Sequence, residues 1–238
     1  AGNIIARPLS NRFRLAYVGT VLFLWAAGAT VAIMARQVSW IASNDAAESL
    51  IHGLFFQVIG LLTLAFCLRV RSLSWRNAFG TASFALTRQF AQAFVLYLAS
   101  MPVVIAVGLI SRLLFLRFGC RIEQQDVVSL FEQGLPFPAL GAMLLLALIM
   151  APVFEETLFR GIVLPLIARR FGLALAVFCT SLLFAAAHLN LASLPQLFVL
   201  AMAFSLAYVG TGSLLIPVIM HAIFNAVSLG LLRLAGME

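Results

Sequence analysis

Apolar runs of membrane-spanning length recur along this chain and leave few folds open to it. They cover residues 15–35, 50–68, 89–110, 140–167, 173–191, 195–209 and 214–232. A helix advances about 1.5 Å per residue, so roughly 20 apolar residues cross a hydrocarbon core of about 30 Å. Inside that core no water is available to pair with the backbone, so each run must satisfy its own amides as a helix. The expected fold is all-α: a polytopic membrane helix bundle of seven transmembrane helices, or eight if the segment 69–88 also inserts.

Composition points the same way. Hydrophobic residues make up 63% of the chain and charged ones 10%, against about 25% charged in soluble domains. The mean hydropathy is +1.10. All 15 basic residues are arginines, and the formal net charge is +7. A nucleic-acid binder gathers its basic residues on one face. Here they fall mostly in the breaks between apolar runs, as membrane-flanking charges do, so no nucleic-acid partner is expected. With the N-terminus inside, the inner segments hold Arg7, Arg12, Arg14, Arg69, Arg71, Arg76, Arg88, Arg169 and Arg170. The outer ones hold Arg36, Arg112, Arg117, Arg121 and Arg233. Cys67, Cys120 and Cys179 lie far apart without metal-ligand spacing and read as packing residues.

Two polar stretches interrupt the runs. Residues 69–88 mix Trp75, Phe79 and Phe84 with arginines and read as an interfacial amphipathic segment. Residues 111–138 carry Glu123, Gln124, Gln125, Asp126, Glu132 and Gln133 before Gly134, Pro136 and Pro138, which predicts a short surface helix and a turn. This stretch divides an N-terminal part, 1–138, from a C-terminal part, 139–238, expected to be the catalytic core.

The division matters because charge enters the membrane only in the second part. The fourth run contains Glu155, Glu156 and Arg160, and each such group costs roughly 2.5–3.5 kcal/mol at the bilayer centre. Glu156 and Arg160 are four apart and can pair on one helix face. Glu155 points about 100° away and is left available, which suits a general base. Glu155 lies 15 residues before Arg170, and His188 lies 17 after Phe171. Both are therefore about 22–26 Å from the turn between the two runs and can face each other. Phe184 precedes His188 by four residues and shares its face, and His221 and Asn225 share a face in the last run. A lone histidine or asparagine in a membrane helix is more often an interhelical hydrogen-bond partner. Two histidines, an asparagine and two glutamates at matched depth describe a reaction site better. His52 sits near Glu48 at the edge of the second run and is given no role.

These residues fall into three ordered motifs: Glu155-Glu156-Thr157-Leu158-Phe159-Arg160, Phe184-Ala185-Ala186-Ala187-His188 and His221-Ala222-Ile223-Phe224-Asn225. In this the sequence resembles the CPBP family of intramembrane peptidases, which includes the type II CAAX prenyl endopeptidases and the bacterial Abi proteins. The resemblance covers about residues 140–232. It implies an intramembrane endopeptidase, independent of metal or other cofactor, that cleaves a membrane-associated peptide or protein. Glu155 and His188 would activate water, and His221 and Asn225 would stabilise the oxyanion. Glu156 and Arg160 would support them, and Phe184 and Phe159 would line the substrate pocket. The setting implied is the bilayer of a bacterial inner membrane, with room for membrane-protein partners. Two other readings bear on the same residues: a zinc peptidase, which lacks an HExxH spacing, and a non-catalytic scaffold, immunity factor or subunit that keeps the fold.

Overall fold

The computed structural model describes residues 45–70, 72, 74–80, 85–119 and 137–235. The expected first run at 15–35 and most of the polar stretch, 120–136, lie outside the described residues. Within them all regular structure is helical: α1 Asp45–Val70, α2 Trp75–Phe79, α3 Leu86–Arg117, α4 Phe137–Phe171, α5 Leu173–Ala187, α6 Leu194–Thr211 and α7 Leu215–Ala235. Four of these, α3, α4, α6 and α7, are long and apolar enough to cross a membrane. α1 carries a shorter apolar stretch, Gln57–Phe66, and α5 has only 15 residues.

The boundaries differ from expectation in three places. α3 continues through Ser111 to Arg117 instead of turning polar at 111. The Ser111 hydroxyl donates to the Ala192 carbonyl at 3.2 Å, so this final stretch packs against the α5–α6 loop. α5 stops at Ala187, short of the expected 191. His188 caps it, and Leu189 turns the chain with a left-handed φ of 51°. The expected interfacial segment has a short helix, α2, within its described residues. Ala78 and Phe79 of α2 are 1% and 0% exposed, so its end is inserted into the bundle and does not lie along the membrane surface.

That insertion explains a problem of depth. His221 is only six residues beyond the first residue of α7, yet it meets groups that lie far from the α4–α5 turn. The α6–α7 turn is sunk into the protein: Gly212, Ser213 and Leu214 are all buried. Its backbone is satisfied from above, because the Leu214 amide donates to the Phe79 carbonyl at 3.2 Å. The Ser213 hydroxyl donates to the Gln89 Oε1 at 2.7 Å. Gly212 supplies the φ of +70° that the tight reversal requires. A Cβ on Gly161 would lie 2.6 Å from the Phe79 ring, so a glycine there lets α2 reach its seat. Leu64, Leu68, Phe79, Ile162, Tyr208 and Leu214 then form one apolar layer. A second layer joins α3, α5, α6 and α7 through Tyr97, Val104, Ala185, Leu200, Phe204 and Met220.

Candidate active site

α4 is not a uniform α-helix. Two π-helical segments, Leu146–Met150 and Thr157–Val163, bracket the six α-helical residues Ala151–Glu156. Such wide turns interrupt the ordinary hydrogen-bond ladder and occur often at functional sites. The two glutamates sit at the junction with the second segment. Arg160 lies within that second segment, four residues after Glu156 and five after Glu155. Its guanidinium makes a 2.7 Å ion pair from Nη1 to Glu156 Oε1. Arg160 thus pairs with Glu156, four residues before it, and no ion pair joins it to Glu155 among the described residues.

The Glu156–Arg160 pair is completely buried, with both residues 0% exposed. A buried guanidinium is tolerable only when its donors are filled, and the fold supplies partners from α6. Nη2 donates to the Ala201 carbonyl at 2.9 Å, and Nε meets the Ser205 hydroxyl at 3.4 Å. The Phe184 ring lies 4.6 Å and the Phe204 ring 5.3 Å from the guanidinium carbon, so the cation has two aromatic neighbours. Sequence reasoning missed Ala201, Phe204 and Ser205. The one available signal was Ser205, a serine within an apolar span, and its partner was not readable from spacing.

Glu156 has a third partner. His221 Nδ1 lies 3.0 Å from the same Oε1 that binds Arg160. An ionised carboxylate only accepts, so His221 donates from Nδ1. The ring stacks on Phe204 at 5.4 Å with 26° between planes. His188 is oriented likewise, with Nδ1 donating at 2.8 Å to the Phe184 carbonyl, a group near the end of α5 that the end of the helix leaves short of partners. Both histidines therefore present Nε2 for other work. Asn225 Nδ2 donates to the Ala147 carbonyl at 2.8 Å, within the first π segment, and its second N–H and its Oδ1 remain for another ligand. Asn225 is thus fixed against α4, one helix away from its own.

Phe184 is the hub of this arrangement. It is 1% exposed. Its ring lies 4.9 Å from His188, 5.7 Å from His221 and 5.2 Å from Phe159. Phe159 is half-buried. Glu155 is also half-buried, and its Oε2 has no hydrogen-bond partner; the Oε2 of Glu156 is also unpaired. One glutamate is therefore held through Oε1 by two side chains, and the other is held by none of the described residues. Among the described residues no three His, Cys, Asp or Glu side chains gather as metal ligands would.

These features define a helical membrane-type protein with a charge-bearing site built into its core by α4, α5, α6 and α7. Residues 137–227 match the family of type II CAAX prenyl endopeptidases, Rce1-like, in agreement with the CPBP resemblance that the three motifs carry. The chain is also similar to an Escherichia coli protein described as an uncharacterized 24.3 kDa protein. The two are 45% identical over 94 residues, which cover 37% of this chain and 42% of that protein. The match thus spans less than half the length of that curated relative. No solved structure matches the chain.

Proposed function

We propose that this protein is an intramembrane endopeptidase that hydrolyses a peptide bond of a membrane-associated peptide or protein by direct attack of an activated water. The observation that carries the proposal is the unequal treatment of two adjacent glutamates. Glu156 is engaged through Oε1 by both Arg160 and His221, whereas Glu155, one residue from that pair, takes no hydrogen bond or ion pair from a described residue. A general base needs a free acceptor in a site where its charge is supported.

Glu155 and the Nε2 of His188 accept the proton of the attacking water. The water oxygen bonds to the scissile carbonyl carbon, and charge develops on the carbonyl oxygen. The free N–H of Asn225 and the Nε2 edge of His221 face that oxygen. For Nε2 of His221 to donate, its ring must be an imidazolium, and Glu156 is the counter-charge already in contact. The proton taken from water passes to the amine as the C–N bond breaks. No covalent enzyme intermediate is formed. Phe184 packs behind the reacting groups, and the half-buried Phe159 borders the substrate. The match to CAAX-type endopeptidases supports a protein substrate held at the membrane. The fold reading that goes with this is seven spans, with residues 139–238 as catalytic core and the preceding part selecting the substrate, in a bacterial inner membrane where other membrane proteins can join it.

The test compares protein termini in membranes carrying either wild-type protein or Glu155→Ala at equal abundance. New termini that depend on Glu155 are the expected result. Identical termini from both would overturn the proposal.

A further inference from the structure

The arginines of this chain are not spread evenly over the ends of the bundle. One end is formed by the last turn of α1, the helix α2, the first turn of α3, the α4–α5 turn and the α6–α7 turn. The apolar layer of Leu68, Phe79, Leu214 and the adjoining Leu166 joins these pieces. The Gln89–Ser213 hydrogen bond adds the start of α3. Arg69 immediately follows Leu68, and Arg88 immediately precedes Gln89. Arg169 and Arg170 close the last turn of α4. All four are exposed. The sequence places no Asp or Glu anywhere in 69–88, 164–175 or 205–215. Arg69, Arg169 and Arg170 make no ion pair with a described residue. The far ends of α1 and α3 differ in sign: Asp45 and Glu48 lie in the first turn of α1, and Arg112 and Arg117 in the last turns of α3.

We propose that this arginine rim is a binding site for the phosphodiester headgroups of anionic phospholipids in the leaflet it faces. The residue type supports this beyond the charge. A guanidinium offers a planar fork of donors that fits two phosphate oxygens, which an ammonium does not, and this chain uses arginine at all 15 basic positions. The acyl-chain side of the site is present as well. Phe171, Leu173 and Leu86 are 63%, 38% and 57% exposed, and Trp75 is 37% exposed, so apolar and interfacial aromatic groups flank the charges. A juxtamembrane basic cluster without neighbouring carboxylates attracts anionic lipid more strongly than zwitterionic lipid, and salt weakens it. The site lies away from Glu155 and His188, and the proposal stands or falls independently of peptidase activity.

The experiment measures the thermal unfolding midpoint of the full chain in neutral detergent. Phosphatidylglycerol, phosphatidylcholine or inorganic phosphate is added to parallel samples. Phosphatidylglycerol is expected to raise the midpoint by several degrees, with phosphatidylcholine and inorganic phosphate giving less than a third of that shift. Arg169→Gln with Arg170→Gln should at least halve the shift. Arg112→Gln with Arg117→Gln at the other end should leave it intact. Should the first double variant not fold, Arg69→Gln alone should still reduce the shift. Equal shifts from the two phospholipids, an unchanged shift in the rim variants, or a full shift from inorganic phosphate would overturn the assignment.

Discussion

At the scale of single residues the site is a balance of two carboxylates against one guanidinium, and each substitution upsets it differently. Glu155→Gln keeps the size and removes the base. It should lower cleavage by about a hundred-fold or more with the protein still inserted, as read by turnover of a cleaved substrate at matched protein level. Glu156→Ala should fail earlier, at folding. It strands Arg160 among Phe184, Phe204 and Ser205 without its counter-ion, a change worth about 3–5 kcal/mol in buried pairs. A marked drop in the unfolding midpoint is the check, and an unchanged midpoint would refute the structural role. Asn225→Ala should leave folding near normal and cost roughly 3–4 kcal/mol of transition-state stabilisation if its free N–H meets the oxyanion, visible as a loss in kcat larger than any change in KM. The pairing of Glu156 with Arg160 was legible from a spacing of four. Its contact with His221 was not, because it joins residues 65 apart in sequence through a helix pairing that no periodicity encodes.

At the scale of elements, the α2 insert and the π turns of α4 do what a straight bundle could not. Apolar run lengths were enough to find α1 and α3 through α7, since burial of the backbone in lipid demands helices whatever their neighbours. They could not show that α5 ends at Ala187, since Leu189 and Leu191 extend the apolar run and the break is made by a side chain capping its own helix. Nor could they show that residues 75–79 turn inward, since Trp75 and the surrounding arginines describe a surface and only Phe79 is drawn into the gap at Gly161. This contact gives a test. Gly161→Ala should push Phe79 out and lower stability by about 1–3 kcal/mol, the usual cost of overpacking. Adding Phe79→Ala should remove the clash, so the second change should cost far less in the Gly161→Ala background than in wild type. Additive losses in the double variant would show that the two do not meet.

At the scale of the whole molecule, the helices differ in reach. α3 has 32 residues and α4 has 35, while the α5 helix between the Gly172 turn and His188 has 15. Topology follows directly: the α4–α5 and α6–α7 turns share one side, and the loop 188–193 points to the other. Cysteines placed at Arg170 and at Leu191 should label from opposite faces of sealed vesicles.

The short α5 also has a consequence for the bilayer around it. At about 22 Å it falls several ångströms below a hydrocarbon core of about 30 Å, and the loop that follows exposes Leu189 and Leu191 at 94% and 70%. Lipid adjusts to a short apolar segment by thinning locally. A dimple over this loop would bring the aqueous boundary down toward the histidine at its edge, so the membrane itself would carry water to the reaction. The protein's rate then becomes a function of acyl-chain length. Turnover in nanodiscs should fall steadily as the lipid tails are lengthened, and a rate indifferent to thickness would mean that water arrives by a path through the helices instead.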